Sequence, residues 1–215
     1  MTNTLIVSGG RINNNLFEKI IKHNIFDIII ASDSGLEILN KFKINPNYII
    51  GDFDSVDKSI LKKYINNDKI KIIKLKPEKD FTDTHMAIKL AIKKKSTDIT
   101  ILGAIGTRID HTLANINILK EPLEQNIPCR IINEKNNIIL INKNTILEKD
   151  PEYPYISLIP LTNIVEDVTL EGFKYTLNKS TLRIGESIGI SNEQIDKKGI
   201  IKLNNGILIV IKSKD

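Results

Sequence analysis

The sequence predicts an α/β protein in which an open, mostly parallel sheet flanked by helices is followed by a small all-β sandwich domain. In the first two thirds of the chain, apolar strand-like runs alternate with helix-length segments. Several of these runs are unbroken Ile, Val and Leu, which favours strands that are covered on both faces. After about residue 137 the pattern changes to short β runs separated by turn residues, which is typical of an antiparallel sandwich or barrel.

The N-terminal domain is predicted over residues 1–135. Its strands are expected at residues 4–8, 27–31, 48–51, 71–75, 98–103 and 129–133, and its helices at residues 14–23, 35–42, 58–64, 82–94 and 110–126. In the last helix, Leu113, Ile116 and Leu119 recur at helical spacing. Because alternating strands and helices form parallel sheets with right-handed crossovers, we expect ligands at the carboxyl ends of the strands.

The C-terminal domain is predicted over residues 140–215, with the boundary between about residues 134 and 145. Its strands are expected at residues 137–141, 155–159, 164–170, 181–184, 188–191, 199–203 and 206–211. The Asn205-Gly206 pair predicts a β-hairpin with type I′ geometry.

Composition limits the classes of protein to which this chain can belong. Of its 215 residues, 41% are hydrophobic and 27% are charged, which suits a globular chain with a real core. No apolar run approaches the roughly 18–20 residues of a membrane span, and residues 1–5 lack the basic region of a signal peptide. The single cysteine, Cys129, excludes an intrachain disulfide framework and is expected to be buried in a strand. We therefore expect a cytoplasmic protein.

The net charge of +5 raises the question of nucleic-acid binding, which the basic residues do not favour. Of the 31 basic residues, 27 are lysine and only 4 are arginine, and the lysines are scattered along the chain. Direct readout of bases depends heavily on arginine. We therefore expect no nucleic-acid partner.

An acidic pair follows the third predicted strand, where residues 49–55 read Ile-Ile-Gly-Asp-Phe-Asp-Ser. In an extended chain, Asp52 and Asp54 point to the same side, because side chains alternate with a period of two. Adjacent carboxylates repel unless a cation keeps both ionised, and Mg²⁺ is commonly held by one or two carboxylates and substrate phosphates. An isolated pair of this kind can also be no more than a polar turn.

Polar residues also follow three other predicted strands. The first strand ends in Ser8-Gly9-Gly10, where small residues allow a ligand to approach the backbone. The second ends at Asp33, which could also be a helix N-cap. After the fourth strand come Asp80, Thr82 and Asp83. Asp80 or Thr82 could cap the next helix, but several carboxylates at one sheet edge favour a bound divalent cation.

The fifth predicted strand leads into residues 103–112, which read Gly-Ala-Ile-Gly-Thr-Arg-Ile-Asp-His-Thr. Glycines before a helix N-terminus make a phosphate site of backbone N–H groups, and Arg108 adds a planar fork for phosphate oxygens. The spacing matches neither a dinucleotide fingerprint nor a P-loop. For His111 we prefer a structural role over a catalytic pair with Asp110. A metal site and a phosphate site on one sheet edge predict nucleotide-dependent phosphoryl or pyrophosphoryl transfer.

Taken in order, these segments resemble the thiamine pyrophosphokinase (thiamine diphosphokinase) family, bacterial type, over nearly the whole chain. Each matching piece is common alone, but their order and spacing together are specific. The pieces are residues 33–35, Pro46 with residues 49–55, and residues 78–84, 103–115, 157–161, 172–177, 191–193 and 206–211.

The resemblance implies an N-terminal domain that binds ATP and Mg²⁺ and a C-terminal domain that helps to bind thiamine. It implies transfer of a diphosphate from ATP to the hydroxyethyl group of thiamine, which gives thiamine diphosphate and AMP. It also implies a homodimer whose active site combines the α/β domain of one subunit with the β domain of the other. Since no apolar run is long enough for a membrane span, we expect no membrane partner.

By motif match, the resemblance assigns residues to these tasks. The catalytic set is Asp52, Asp54, Asp80, Asp83, Arg108 and Asp110, of which Asp52, Asp54 and Asp83 would hold Mg²⁺. The nucleotide set is Gly9, Gly10, Asp33, Thr82, Gly106, Arg108 and His111, and the thiamine set is Lys79, Ser191 and Asn192. Either Asp110 or Asp80 is the candidate to accept the proton of the attacking alcohol. Since the chain has no Trp, an aromatic partner for thiamine must be Tyr or Phe.

Three alternatives stay open at this point. The same reaction could act on another small alcohol, such as a pterin, and a test for thiamine-dependent AMP release would distinguish the two. The chain could instead be a non-catalytic nucleotide sensor or thiamine-binding module, although such a protein need not keep the acidic residues. A nucleic-acid binder would show a steep salt dependence of binding.

Overall fold

Apolar strands alternate with amphipathic helices in the N-terminal part of the structure, as the sequence predicts. The structure, a computed structural model, describes residues 1–76, 78 and 80–215. The chain divides into two compact units, Met1–Glu134 and Lys135–Asp215, which are called unit 1 and unit 2 below.

Unit 1 is a parallel sheet with six helices among its described residues. Its strands are β1 (Asn3–Val7), β2 (Ile28–Ser32), β3 (Tyr48–Gly51), β4 (Lys71–Lys74), β5 (Asp98–Leu102) and β6 (Cys129–Ile132). Its helices are α1 (Asn14–His23), α2 (Gly35–Lys41), α3 (Lys58–Ile65), α4 (Asp83–Lys93), α5 (Ile109–Asn117) and α6 (Lys120–Glu124). All strand pairs are parallel, in the order β6-β5-β1-β2-β3-β4. The order reverses between β1 and β5, and ligands bind such sheets at this switch point.

Burial and capping explain why unit 1 forms these elements. The strands carry fully buried side chains such as Ile49 and Ile101, each of which stabilises the fold by about 1.5–3 kcal/mol. Helix α1 begins after Asn13, whose side-chain oxygen accepts a hydrogen bond from Asn15 N at 2.9 Å. Cys129 is buried in β6, as predicted, and burial raises the pKa of its thiol. In the described part of the chain, no helix reaches the length and apolarity that a membrane span requires.

The single helix predicted over residues 110–126 is wrong, because the segment forms two helices, α5 and α6. The cause is Pro122. In a continuous helix it would lack the N–H that should bond the carbonyl of Ile118, and its ring would collide with that carbonyl. The chain instead tightens before Pro122, where Leu119 N donates to Ile116 O at 3.3 Å. Helix α6 is therefore a separate element with its own packing partners.

Unit 2 is an antiparallel β structure of two sheets, which confirms the predicted fold class. Its strands are β7 (Asn136–Ile141), β8 (Thr145–Glu148), β9 (Tyr155–Pro160), β10 (Ile164–Glu171), β11 (Leu177–Arg183), β12 (Asn192–Glu193), β13 (Lys198–Lys202) and β14 (Leu208–Ser213). One sheet has the order β12-β9-β14-β7 and the other β11-β10-β13-β8. Buried side chains from both sheets, including Leu158, Val210, Leu170 and Ile201, pack into one core.

Two predictions for unit 2 are wrong in detail. The Asn205-Gly206 pair does not form a hairpin, because β13 and β14 belong to different sheets and the segment crosses between them. A type I′ turn needs two left-handed residues, and of this pair only Gly206 takes such a φ, of 97°. Residues 188–191 form a turn rather than a strand: Ile190 N donates to Ser187 O at 3.2 Å, and Ser191 has a left-handed φ of 57°. Strand β8 was not predicted.

Candidate active site

A cleft with a volume of about 440 Å³ opens at the carboxyl ends of the unit 1 strands. It lies at the switch point between β1 and β5, where open α/β sheets bind their ligands. The segments that follow β1, β2, β4 and β5 supply its walls. The lining residues are Ser8, Gly9, Gly10, Arg11, Ser32, Asp33, Ser34, Thr82, Asp83, Thr84, Gly103, Ala104, Gly106, Thr107, Arg108, His111 and Asn115.

Two glycine-containing loops approach each other closely in this cleft. Gly10 N donates to Gly103 O at 2.9 Å, and Ser8 N donates to Leu102 O at 2.8 Å. Gly103 has a left-handed φ of 73°, and a Cβ atom added there would collide with the carbonyl oxygen of Ser8. Glycine is therefore required at position 103, and the loops present backbone rather than side chains to a ligand.

Three carboxylates meet beside the cleft and form what we call the acidic cluster: Asp33, Asp52 and Asp54. One carboxylate oxygen from each lies within 4.8 Å of the others. The carboxylates of Asp52 and Asp54 meet after β3, as predicted. The chain between them is not extended, however, because Phe53 takes a left-handed φ of 66°. Asp54 shares a hydrogen bond with Asp52 and faces its charge, so the pKa of Asp54 is raised above its usual value.

Asp33 belongs to the acidic cluster and does not cap a helix. The N-cap of α2 is Ser34, so the N-cap interpretation of Asp33 is wrong. Asp33 takes a left-handed φ of 51°, which Asp adopts more readily than most residues, and its N donates to Ile50 O at 2.8 Å. Ser55 Oγ donates a short hydrogen bond to Asp33 Oδ2. The neighbouring β2 and β3 are thereby joined where the carboxylates meet.

The acidic cluster fits a hard divalent cation. Asp33 Oδ1 is buried and accepts no hydrogen bond from the described residues. A buried carboxylate oxygen without a donor is costly, and a bound cation would satisfy it. Three carboxylates at this separation also match the oxygen donors that Mg²⁺ prefers. In the described part of the chain, Asp83 is not a member of this cluster, although it lines the neighbouring cleft.

The start of α4 forms one wall of the cleft. Thr82 is its N-cap, and Thr82 Oγ1 accepts a hydrogen bond from His85 N at 3.2 Å. Asp83 follows in the first turn, where an acidic residue is stabilised by the helix dipole. Asp80, which precedes them, is exposed and is not among the lining residues. The structure thus selects Thr82 over Asp80 as the cap.

Arg108 and Asp110 form an ion pair at the start of α5. Arg108 Nε donates to Asp110 Oδ1 at 3.2 Å, and Arg108 Nη2 donates to Asp110 Oδ2 at 2.6 Å. Through the hydrogen bond and charge of Arg108, the pKa of Asp110 is lowered to about 2. The side chains are 68% and 64% exposed, so solvent weakens the pair and Arg108 is able to turn to another anion. His111 lines the cleft next to this pair.

Three of the residues that line the cleft were not assigned from the sequence: Arg11, Thr84 and Asn115. Arg11 follows Ser8-Gly9-Gly10 directly, and a basic residue after two glycines was an available signal. Thr84 Oγ1 donates to Ser8 Oγ at 3.0 Å, which ties α4 to the end of β1. Asn115 is buried and donates from Nδ2 to Ala104 O at 2.8 Å, which holds the loop after β5. No local pattern marks these last contacts, because each joins separate elements.

Unit 2 has a groove of its own, with a volume of about 250 Å³. Its lining residues are Leu170, Tyr175, Leu177, Ile188, Ile190 and Asn192. Tyr175 is 59% exposed, so a ligand can reach its ring, and Lys174 Nζ lies 5.5 Å from the ring centroid. An apolar groove with one exposed aromatic ring suits a flat ring system rather than phosphate.

Asn192 uses its side-chain amide to hold this groove together. Its Nδ2 donates to Tyr175 O at 2.7 Å, and its Oδ1 accepts from Tyr175 N at 3.0 Å and from Glu193 N at 2.9 Å. Ser191, its neighbour, is exposed, and Ser191 N donates to Ser157 Oγ at 3.1 Å. The chain therefore brings Asn192 to the groove as a support for Tyr175.

The structure brings most of the predicted site residues into two places. Among the residues predicted to bind nucleotide, all seven line the cleft: Gly9, Gly10, Asp33, Thr82, Gly106, Arg108 and His111. Of the residues predicted to hold a metal ion, Asp52 and Asp54 lie in the acidic cluster with Asp33, whereas Asp83 lines the cleft. Asp80 and Asp110 are not among the lining residues. Lys79 lies outside the described residues.

Comparison with known proteins gives a consistent picture for the two units. The model of the thiamin pyrophosphokinase catalytic domain matches residues 17–131, and the model of the thiamin pyrophosphokinase vitamin B1 binding domain matches residues 143–208. The thiamine pyrophosphokinase of Bacillus subtilis is 36% identical over 187 residues, which cover 86% of this chain and 87% of that protein.

Solved structures agree. The crystal structure of Bacillus subtilis thiamine pyrophosphokinase superposes with a TM-score of 0.89 at 32% identity and covers all of both chains. That of the Geobacillus thermodenitrificans enzyme superposes with a TM-score of 0.87 at 28% identity, and covers 100% of this chain and 98% of that chain.

Proposed function

The chain belongs to the thiamine pyrophosphokinase family, and we propose that unit 1 supplies its nucleotide and metal site and unit 2 its thiamine site. The enzyme transfers the diphosphate of ATP to the hydroxyethyl oxygen of thiamine, which gives thiamine diphosphate and AMP. The observation that carries the assignment of residues is the cleft of unit 1, where glycine loops, Arg108 and the acidic cluster meet at the switch point of the sheet.

The alternatives raised by the sequence are not favoured. Both matching family models describe thiamine pyrophosphokinase, one for each unit, and nothing in the chain points to a pterin. A binding module without catalysis would have no use for three carboxylates held within 4.8 Å of one another, since their repulsion is costly.

We assign the phosphates of ATP to the two glycine loops and to Arg108. Gly10 N donates to Gly103 O, which brings the loops together, and Gly106 N donates to Thr112 Oγ1 at 3.3 Å. Gly9 and Gly106 both line the cleft. Arg108 offers a fork of N–H groups that matches phosphate oxygens. In the free protein Asp110 orients the guanidinium of Arg108. A phosphate can displace Asp110 from this pair, because the pair is exposed and therefore weak.

We assign Mg²⁺ to Asp52 and Asp54, with Asp33 and Asp83 completing the surroundings of the ion. The buried Oδ1 of Asp33 and the close approach of the three cluster carboxylates support this assignment. When bound, Mg²⁺ would neutralise charge on the phosphate oxygens and favour attack at phosphorus. The part of the chain itself is to hold these carboxylates in place, through the Ser55 hydrogen bond and the strand pairing beneath them.

Of the two candidate proton acceptors, Asp110 is poorly suited. A carboxylate with a pKa of about 2 is a weak base, and proton transfer is most efficient when the pKa lies near the working pH. We therefore propose that Asp110 orients Arg108, and Asp80 remains the candidate base of the two.

We assign the rings of thiamine to the groove of unit 2. Thiamine carries an aminopyrimidine ring and a cationic thiazolium ring, and both can stack on an exposed aromatic face. Tyr175 is the aromatic residue that lines the groove, with Ile188 and Ile190 beside it. Asn192 lines the groove and supports the backbone of Tyr175. Ser191, which the sequence analysis also assigned to thiamine, is exposed but is not among the residues that line the groove.

We propose that the active form is a cytoplasmic homodimer with a composite site. Unit 2 exposes Tyr175, Ile184, Ile188 and Ile190, and exposed apolar side chains of this kind mark ligand or protein contacts. Closed two-fold dimers are the commonest assemblies and would cover such a surface. The single, buried Cys129 suits a reducing compartment.

The direct test is AMP release by the purified protein. We expect AMP to form from ATP and Mg²⁺ only when thiamine is present, with thiamine diphosphate in equal amount. The Asp52→Asn variant is the matched control, because it should bind thiamine but release no AMP. AMP release without thiamine, or equal release with a pterin alcohol, would contradict the proposed substrate.

A further inference from the structure

A network of charged and aromatic side chains lies outside the cleft and joins α6 to the start of α4. It consists of Phe81, His85, Lys89 and Glu121, and we call it the α4–α6 network. His85 Nε2 lies 2.8 Å from Glu121 Oε2, and Lys89 Nζ donates to Glu121 Oε1 at 3.1 Å. Because a carboxylate can only accept, His85 Nε2 carries the hydrogen. Each oxygen of Glu121 thus has its own donor from α4.

The same two donors hold Phe81. The His85 ring meets the Phe81 ring edge-on, with centroids 4.7 Å apart and an interplanar angle of 75°. Lys89 Nζ lies 4.8 Å from the centroid of the Phe81 ring. Since Phe81 is 42% exposed, its place depends on these contacts more than on burial.

The network reaches the wall of the cleft through His85. Phe81 immediately precedes Thr82 and Asp83, which line the cleft. His85 touches this segment twice, by its ring against Phe81 and by its N–H, which donates to Thr82 Oγ1 at 3.2 Å. In the described part of the chain, Glu121 is not among the lining residues, so its effect on the cleft is indirect, and its side-chain contacts lead to α4.

Glu121 differs from the other acidic residue at the end of the same helix. Its side chain is 29% exposed. Partial burial raises the pKa of Glu121, but hydrogen bonds from His85 and Lys89 outweigh this effect, and the pKa lies below its usual value. Glu124 forms an exposed pair with Lys120, at 3.6 Å within α6. The two residues therefore differ in whether they reach α4.

We propose that Glu121 is a positioning residue, which acts through the α4–α6 network to fix Thr82 and Asp83 in the wall of the cleft. The inference rests on the proposed function, because the ligand whose binding it controls is Mg-ATP. Glu121 touches no reacting group. Its contribution is to the affinity of the cleft for Mg-nucleotide.

The test compares Glu121→Gln with the matched control Glu124→Gln in the full chain. Affinity is measured by calorimetric titration with Mg-ATP in the absence of thiamine, so the result does not depend on turnover. Steady-state kinetics then give KM and kcat. For Glu121→Gln we expect a roughly fivefold loss of affinity and a matching rise in KM, below the ~10–100-fold cost of losing a direct partner of a metal ligand. We expect kcat at saturating Mg-ATP to stay within about twofold, and Glu124→Gln to match the wild type.

A second variant, Phe81→Leu, breaks the network at its other end without removing a charge. If both variants act through the same contacts, the affinity of the double variant for Mg-ATP should equal that of whichever single variant binds Mg-ATP less tightly. Should Glu121→Gln fail to fold, Phe81→Leu carries the test alone, with the same expected loss.

Wild-type affinity for Mg-ATP in both Glu121→Gln and Phe81→Leu would overturn the proposal and leave the proposed function standing. Full additivity in the double variant would overturn it too, because the two residues would then act independently. A wild-type protein that does not bind Mg-ATP would overturn the proposed function and this inference with it.

Discussion

The cleft of unit 1 and the groove of unit 2 are lined by chemically different groups. The cleft is lined by backbone, hydroxyl and charged groups on loops that follow parallel strands. The groove is lined by leucine and isoleucine side chains around one tyrosine ring, on antiparallel strands and the turn that includes Ile188 and Ile190. The first arrangement suits phosphate and metal, and the second suits a flat organic ring.

The two sites also differ in the electrostatic cost that they impose on folding. In unit 1 the acidic cluster raises the pKa of Asp54, so folding without a cation carries an electrostatic cost. In unit 2 the groove carries no comparable cost, because the Asn192 side chain makes two hydrogen bonds to the backbone of Tyr175 and accepts a third from Glu193 N. Variants in unit 1 should therefore affect turnover strongly, whereas variants in unit 2 should affect mainly the affinity for one substrate.

The largest expected effect is that of Asp52→Asn. Loss of a charged metal ligand should lower kcat by about 10³-fold, since electrostatic stabilisation of the transferring phosphoryl groups is the main catalytic term. The fold should be kept, and without Mg²⁺ the variant should unfold at a higher temperature than the wild type, because repulsion from Asp54 is relieved. Rate measurements over a range of Mg²⁺ concentration and thermal unfolding check both statements.

Asp68→Asn is the control for this experiment, because Asp68 is an exposed turn residue outside the cluster. It should leave both the rate and the unfolding temperature unchanged. Near-normal activity of Asp52→Asn at limiting Mg²⁺ would remove Asp52 from the metal site.

The second prediction concerns a substitution in the groove of unit 2 that leaves the cleft of unit 1 unchanged. Tyr175→Ala should raise the KM for thiamine about 10–100-fold, since stacking of a ring on an aromatic side chain is worth about 1–3 kcal/mol. Tyr175→Phe keeps the ring and should stay within about threefold of the wild type. The affinity for Mg-ATP should not change in either variant, which calorimetry checks. A thiamine KM in Tyr175→Ala equal to that of the wild type would show that the groove does not bind thiamine.

The same contrast explains how much of the molecule could be predicted from the sequence. The parallel sheet was predictable from unbroken apolar runs that alternate with helix-length segments. The meeting of Asp52 and Asp54 was predictable from their closeness in sequence, although the left-handed Phe53 replaces the extended chain that the prediction assumed. The pairing of Arg108 with Asp110 was not, since it depends on the extended backbone of Arg108, with φ −82° and ψ 105°. The break in the helix follows from Pro122 itself, because proline in a helix interior removes a hydrogen bond and collides with the preceding turn.

Unit 2 was predictable in class but not in its site. Residues 188–191 read as a strand by composition, yet the structure turns them so that Leu158 N can donate to Gly189 O at 2.8 Å. Two exposed isoleucines, Ile188 and Ile190, thereby reach the groove instead of alternating along a strand. A groove made from several distant segments leaves no local pattern, whereas a carboxylate pair does.

The third prediction concerns Arg108→Lys in the cleft. We expect kcat/KM for Mg-ATP to fall by about tenfold, because a point charge cannot reproduce the two-pronged contact of the guanidinium. Arg183→Lys is the control, since Arg183 is exposed on unit 2. Activity of Arg108→Lys equal to that of the wild type would leave Arg108 with only its ion pair to Asp110.

The same variant changes a titration. With Arg108 in place, the pKa of Asp110 is about 2, below its unfolded value, so the pair stabilises the fold at neutral pH. That stabilisation is lost as the pH falls through the acid range towards about 2. In Arg108→Lys, the pKa of Asp110 should rise towards its usual value, which an NMR titration of the carboxyl carbon measures.

The last prediction asks whether cleft and groove of one active site come from different chains. Asp52→Asn inactivates the cleft and Tyr175→Ala impairs the groove, so each homodimer alone should be nearly inactive at low thiamine. If sites are composite, random exchange makes about half of the dimers mixed, and each mixed dimer has one intact site of two. We therefore expect recovery to about a quarter of the wild-type rate. Tyr175→Ala is preferred over a change at Asn192, because Asn192 is buried and supports the backbone. No recovery, once exchange has been shown by differently tagged subunits, would mean that each chain builds its own site.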